Sequence, residues 1–288
     1  MIFMENKILA IVVTYFPEKD LLEKNISAFI DYVDKVLIWE NTPEKQRLQY
    51  RYTNHPKVEY CGDGINSISH ALNYAWKYAE SNGYDYLLTM DQDSVFENFL
   101  QYVNDTIDND QAPRGIWTPK VVSEENPKNP SEYGWSSEIY NTITSGMLQS
   151  VELVTKNGGW NEAFAIDGLD DEYCFHAQRV GIKIYRNYDI FLIQQYGIPQ
   201  KADFMGRSIT LRNYSAQRYY SIYWSHALLM RMFPEQKYFR ELCYCYWKGM
   251  IKWIFLFEED RFKKLYKIIS GIVSGYTCRI PRRELKSE

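Results

Sequence analysis

The sequence predicts an α/β fold, a mostly parallel sheet flanked by helices, with a helical extension at the C-terminal end. Three observations predict it. A run of strand character, Leu87-Leu88-Thr89-Met90, ends abruptly in Asp91-Gln92-Asp93-Ser94. The chain opens as strand, helix, strand, the pattern of a right-handed parallel unit. After Gln200 the pattern changes to helical segments rich in Tyr, Trp and basic residues.

Taken in order, Ile8-Leu9-Ala10-Ile11-Val12-Val13-Thr14-Tyr15 is a continuous apolar run rich in β-branched residues. Such a run suits a strand buried on both faces. Phe16-Pro17 ends it. Leu21, Leu22, Ile26, Phe29 and Ile30 then recur at helical spacing, and Val36-Leu37-Ile38-Trp39 reads as a second strand closed by Glu40-Asn41-Thr42-Pro43. Val58-Glu59-Tyr60 is a short third strand. Gly62-Asp63-Gly64 and Asn66 precede a helix whose stripe is Ile68, Leu72, Ala75 and Ala79. Glycine there lets backbone approach a ligand, and a helix N-terminus favours phosphate. His70, inside the stripe, reads as a structural or surface residue. The central strand runs from Tyr86 to Met90, and residues 96–107 read as the next helix. Residues 115–119 form another strand. Residues 123–137 are polar and proline-punctuated, a surface loop long enough to serve as a lid or a simple connector. Thr144-Ser145-Gly146-Met147-Leu148 resembles a strand entering a turn, and residues 151–157 a short helix ended by Gly158-Gly159. Residues 182–185 and 190–193 read as two short strands. Helices follow over residues 215–232, 237–256 and 260–273.

Composition bounds the function. The 288 residues carry a net charge of -4, which gives no global case for nucleic acid. Five cysteines, without CxxC spacing, read as reduced cytosolic thiols. The first seven residues lack the features of a signal peptide. No run reaches the ~18 apolar residues of a membrane span. The unusual numbers are 25 Tyr and 8 Trp, side chains useful in cores, sugar sites and membrane interfaces alike.

Two acidic clusters carry the chemistry. Residues i and i+2 of a strand share a face, so Asp91 and Asp93 can both point into the crevice beyond the sheet's carboxyl edge, where ligands of open α/β sheets bind. Paired carboxylates in an apolar setting repel unless a cation or shared proton relieves them. Mg²⁺ or Mn²⁺ with substrate phosphates suits that arrangement; a solvated Asp-rich turn is the alternative. The second cluster is Asp167, Asp170, Asp171 and Glu172 at the start of a helix. The helix dipole explains Asp171 and Glu172. Asp167 and Asp170 share a face if the first turn is already helical, and a carboxylate held near a substrate hydroxyl can act as general base. In the last helix, Arg261, Lys263, Lys264 and Lys267 alternate with Phe262, Leu265, Tyr266, Ile268 and Ile269, with Arg279, Arg282 and Arg283 beyond. This admits two readings, a peripheral contact with anionic lipid and a packed extension.

With both clusters in place, the chain resembles the family-2 glycosyltransferases of GT-A fold, in particular their bacterial rhamnosyltransferase branch. Leu88-Thr89-Met90-Asp91-Gln92-Asp93-Ser94 is similar to that group's Asp-Gln-Asp-Ser signature. Asn66-Ser67-Ile68-Ser69-His70-Ala71-Leu72-Asn73 resembles its Asn-x-Gly-Ile-Ala-x-Ala-Leu-Asn segment, with Ser67 at the glycine. Ser145-Gly146 resembles its Ser-Gly pair, and Phe164-Ala165-Ile166-Asp167 through Asp170, Glu172 and Cys174 its later acidic pattern. Departures are Glu40 where Asp is usual, His176 for an Arg, and Gln194 before Gly197 for a His.

The resemblance implies a catalytic domain over residues 1–210 and a helical extension over 211–288. It implies inverting hexosyl transfer from a nucleoside diphosphate sugar, dTDP-rhamnose by branch, to a glycan or lipid-linked acceptor in bacterial surface polysaccharide biosynthesis. Mg²⁺ or Mn²⁺ would be the cofactor. The site would be cytoplasmic, peripheral to the inner face of the membrane if the C-terminal helices touch lipid. By the same resemblance, Asp91 and Asp93 hold the metal and donor diphosphate. Asp170 is the catalytic base. Thr14, Tyr15, Glu40, Asn41 and Asn66 serve the donor, while Gly146 and Asp167 shape the acceptor side. A sugar-phosphate nucleotidyltransferase is the related alternative, but Thr14-Tyr15-Phe16-Pro17 is not its Gly-rich basic phosphate loop. A degenerate, non-catalytic carbohydrate-binding or scaffolding protein is the alternative from a different class.

Overall fold

The computed structural model describes residues 6–47, 52, 54–123, 126–129, 131–194, 200–204 and 206–281. The basic residues Arg282 and Arg283, the landmark Gly197 and residues 1–5 of the N-terminal reading lie outside these. The chain forms two compact units, one within Met1–Gln195 and one within Tyr196–Arg283.

The larger unit is built on an eight-stranded sheet. Its strands are β1 (Ile8–Thr14), β2 (Lys35–Glu40), β3 (Val58–Cys61), β4 (Tyr86–Asp91), β5 (Ser94–Phe96), β6 (Ile116–Val122), β7 (Met147–Ser150) and β8 (Ile184–Gln194), in the order β3-β2-β1-β4-β7-β6-β8-β5. The first four are parallel to one another, β6 and β8 are parallel, and β7 and β5 run antiparallel to their neighbours. Every residue of β1 is buried, as expected for a central parallel strand covered on both faces. Helices α1 (Lys19–Ser27), α2 (Ile68–Asn82), α3 (Phe99–Thr106), α4 (Val151–Asn157) and α5 (Leu169–Arg179) complete the unit. Their ends follow local chemistry: Ser67, Asn98 and Ser150 cap α2, α3 and α4 through their side chains, and Gly83 and Gly158 end α2 and α4 in the left-handed region. Phe29, Phe96, Phe99 and Tyr102 pack edge to face in the core between α1, α3 and the sheet.

The order of strands forces the sheet to curl. Only Gln92 and Asp93 separate β4 from β5, so the connection spans at most about 11 Å. In a flat sheet, four strand spacings would set the two about 19 Å apart. The edge strand β5 therefore returns beside the end of the central strand β4, and β8 comes with it.

The sequence expectations differ from this fold at three places. Residues 94–96 are strand, and the helix begins only at Phe99. The two short strands expected over residues 182–193 are one long strand, with a register shift opposite Pro119/Lys120 that absorbs Tyr188, Asp189 and Ile190. A bulge of this kind interrupts the apolar alternation without ending the strand. Past residue 200, a hairpin of β9 (Gln200–Phe204) and β10 (Arg207–Leu211) precedes the helices.

The smaller unit holds this hairpin with α6 (Ala216–Met232), α7 (Lys237–Phe257) and α8 (Arg261–Thr277). Helices α6 and α8 lie close because α8 presents glycine to α6. A Cβ on Gly271 would stand 2.5 Å from the Tyr220 carbonyl oxygen, and one on Gly275 2.5 Å from that of Trp224. Lys264, on the same inward face, is buried in an ion pair with Glu258 at 2.9 Å and donates to Asn213 Oδ1 at 2.7 Å. Tyr219 donates its hydroxyl to the other Glu258 oxygen at 2.7 Å, so the buried carboxylate is fully partnered.

Candidate active site

The parallel strands deliver the predicted donor residues to one edge. Register pairs Thr14 with Glu40 and Val13 with Asp91, so the carboxyl ends of β1, β2 and β4 lie side by side. There the polar groups divide between anchoring and access. Thr14 is buried and its hydroxyl donates to the Trp39 carbonyl at 3.2 Å. Glu40 is buried and Oε1 accepts from the Thr42 backbone at 2.9 Å. Asn41 Oδ1 accepts from the Trp39 indole at 3.0 Å. These three build the floor of the edge. Tyr15 and Phe16 stand out from it, half-exposed and edge to face at 4.6 Å. Asn66 is exposed just before the Ser67 cap of α2. His70 bridges two acids, with Nε2 at 2.7 Å from Asp63 and Nδ1 at 3.3 Å from Glu162. Burial pulls the His70 pKa down, but these hydrogen bonds outweigh it and raise it above the ordinary value.

Asp91 is anchored through its backbone. Its N–H donates to Ser145 Oγ at 3.0 Å, and its carbonyl accepts from Asn25 Nδ2 at 2.6 Å. Gln92, between the two acids, accepts from Tyr15 N at 2.7 Å and donates to Tyr15 O at 3.2 Å, tying β4's end to β1's. Burial, followed by the negative charges of Asp170 and Asp93, pushes the Asp91 carboxyl up to about 7. Burial also raises Asp93. Asp91 therefore feels carboxyls from both of the sequence's acidic clusters.

Asp170 arrives from the other side of the site. Gly168, in the left-handed region, opens α5, so Asp167 precedes the helix instead of sharing its first turn. The two are close enough for Asp167 to raise the Asp170 pKa, although burial is the larger cause. Thr144 answers with two donors to Asp170 Oδ1, its backbone N–H at 2.9 Å and its hydroxyl. Gly146 makes this turn possible. It lies at φ +77°, and an added Cβ would meet Pro119 Cγ at 2.8 Å and Leu192 Cδ2 at 3.0 Å. Its N–H donates to the Thr89 carbonyl at 2.7 Å, which places Ser145 under Asp91 and Thr144 against Asp170. Glu172 is buried and accepts from Asn161 Nδ2 at 3.2 Å; Asp171 accepts from Asn141 Nδ2 at 3.0 Å. Partners, as well as the helix dipole, account for these two acids.

The donor set fits a divalent cation. Asp91 is repelled by both Asp93 and Asp170, and positive charge there would relieve it. Gln194, paired with Ser94 across β5 and β8, places Nε2 3.4 Å from Asp91 Oδ2, and its Oε1 is a buried oxygen without a hydrogen-bond partner. A hard oxygen of that kind suits Mg²⁺ or Mn²⁺. No group of three or more His, Cys, Asp or Glu with metal-holding geometry occurs among the described residues.

Sequence reasoning missed Asn25 and Thr144. Asn25 left one signal, a poor helix former within the apolar stripe of α1. Thr144 left none, since its partner lies 26 residues away.

No family model matches the chain. Among curated proteins it is similar to the dTDP-rhamnosyl transferase RfbF of Shigella flexneri, with 25% identity over 241 residues, covering 76% of this chain and 78% of the relative. Among solved structures it is similar to GalNAc-T7 crystallised with UDP, GalNAc and Mn²⁺, at TM-score 0.58 and 9% identity over 80% of this chain. The chain matches about half of that protein's length, 48%. It is also similar to S. aureus TarS 1-349, at TM-score 0.58 and 14% identity, covering 94% of this chain and 81% of the other. The chain has the GT-A fold, and it resembles the family-2 glycosyltransferases in both its ordered motifs and its architecture.

Proposed function

We propose that the chain transfers a sugar from a nucleoside diphosphate sugar to a hydroxyl of a glycan or lipid-linked acceptor, inverting the anomeric carbon. The sugar is rhamnose carried on dTDP, and the product belongs to bacterial surface polysaccharide. The donor choice rests on the dTDP-rhamnosyl transferase among the relatives. The observation that carries the reaction type is Asp170, fixed by Thr144 beside the Asp91–Asp93 pair.

Three tasks divide among the residues. Asp170 is oriented through Oδ1, so Oδ2 is the oxygen assigned to the acceptor proton. As that proton leaves, the acceptor oxygen bonds to C1 of the donor and the bond from C1 to the diphosphate breaks. Burial raises the Asp170 pKa, which brings it nearer the operating pH of a general base. Asp91 and Asp93 would hold Mg²⁺ or Mn²⁺. The bound cation supplies positive charge to the departing diphosphate. The Tyr15–Phe16 edge and the N-terminus of α2 take the nucleoside and its phosphates, and orientation of the two sugars supplies much of the rate.

The test separates binding from chemistry. Donor binding is measured by calorimetry with dTDP-rhamnose and a panel of UDP and GDP sugars, each with and without Mn²⁺. The Asp170→Asn variant should bind its donor within about threefold of wild type and lose transfer by about 10³-fold, within the range for removal of a general base. Near-normal transfer by that variant would show that Asp170 is not the base. Donor binding without transfer to any acceptor, in the wild-type chain, would favour the carbohydrate-binding alternative.

A further inference from the structure

Helix α8 is built inside out. Its inward face is Lys264, Ile268, Gly271 and Gly275. Its large apolar side chains face solvent: Phe262, Tyr266, Ile269, Val273 and Tyr276, continued by Ile280. From Phe262 to Tyr276 their spacing of four, three, four, three is one continuous stripe. Phe262 is 72% exposed and Ile269 62%. The reason is visible in the packing, since Gly271 and Gly275 admit α6 so closely that no larger residue fits at those two positions. Phe255 and Leu256, at the end of α7, are also exposed, and Arg261 donates to the Phe255 carbonyl at 3.5 Å, so the patch continues around that corner. A contiguous exposed apolar face of this kind marks an interaction surface.

We propose that this face lies on an anionic lipid bilayer, with α8 parallel to the membrane plane. The charge distribution selects that occupant. Between Lys237 and Arg283, basic residues outnumber acidic ones eleven to four, in a chain whose net charge is -4. From Arg261 to Arg283 there is no acidic residue at all. Arg261 and Lys263 are exposed at the head of the stripe, and Arg279 is exposed beyond its tail. A second copy seated on the same face would bring these like charges together, which opposes association. A lipid surface instead supplies the missing negative charge, and it accepts aromatic side chains at the headgroup level. The stripe from Phe262 to Tyr276 is about 21 Å long, enough for one helix to lie flat. No helix among the described residues is long and apolar enough to cross a membrane.

The experiment is vesicle flotation with the full chain and no nucleotide, so it is independent of the catalytic reading. Vesicles of phosphatidylcholine with about a third phosphatidylglycerol are compared with phosphatidylcholine alone. The wild-type chain should float with the anionic vesicles and release them at high salt. The Ile269→Glu/Val273→Glu variant, changed only at exposed positions, should keep its thermal melting temperature and lose at least tenfold in binding. Arg261→Glu/Lys263→Glu should weaken binding to anionic vesicles alone. Equal flotation by the Glu variants, or no flotation by the wild-type chain, overturns the proposal. So does a wild-type dimer in sedimentation that the Ile269→Glu/Val273→Glu change dissociates, which would assign the face to a second copy.

Discussion

Thr144 holds Asp170 through two hydrogen bonds to one oxygen, and these oppose the effect of burial on that carboxyl. Thr144→Ala removes the hydroxyl and keeps the backbone donor. The Asp170 pKa should then rise, and the acidic limb of the kcat/KM profile should move to higher pH with it. A positioning role also predicts a fall in kcat of roughly tenfold, modest beside loss of the base itself. A purely structural role would lower stability without moving the pH profile. Gln194 offers the second residue-scale prediction. In Gln194→His, imidazole replaces the amide whose Nε2 lies 3.4 Å from Asp91 Oδ2; imidazole suits transition metals better than Mg²⁺. Mn²⁺ should bind several-fold tighter by calorimetry while Mg²⁺ gains little. At this scale the sequence disclosed acids in motifs, because a carboxylate pair has a recognisable spacing. It did not disclose Thr144 or Asn25, whose roles depend on partners 26 and 66 residues away.

At the scale of elements, the turn at Gly146 that enters β7 is tightly constrained. Gly146→Ala places a Cβ against Pro119 and Leu192 at positive φ, so both sterics and backbone oppose it. The expected cost is about 1–3 kcal/mol, read as a lowered melting temperature. Because this turn also carries Ser145 and Thr144, transfer should fall more than folding does. Helices and buried strands were legible because their periods are strong, and the short helix α4 appears at residues 151–157 as its pattern indicated. The short strand β5 was not. Three residues carry too little periodicity to separate a strand from the start of a helix, and only pairing with β8 identifies it.

For the whole molecule, the shared acidic environment makes stability depend on pH in an unusual direction. The Asp91 carboxyl, pushed up to about 7 by burial and its acidic neighbours, holds its proton in the folded state well above its unfolded value. The folded chain then binds more protons than the unfolded chain across that window, so stability falls as pH rises from about 4 to about 7. Asp171, raised to about 6 by burial, adds to it with the same sign. Metal-free protein should therefore lose melting temperature across this range in a calorimetric scan. Saturating Mn²⁺ should flatten that slope, since a cation competes with the proton at Asp91 and Asp93. A slope unchanged by Mn²⁺ would remove the cation from the site.

The sequence by itself determined the α/β class, the opening parallel β1–β2 unit and the two acidic clusters, because burial on both faces and carboxylate spacing are local properties. Only the tertiary structure decided that the clusters meet. The two-residue link from β4 to β5 forces the sheet to curl, Gly146 turns Thr144 onto Asp170, and the β5–β8 pairing sets Gln194 beside Asp91. It also decided which face of α8 is empty: the glycines meet α6, so the large apolar residues are left to solvent. Amphipathic periodicity shows that a helix has an apolar stripe, but packing determines which stripe is covered.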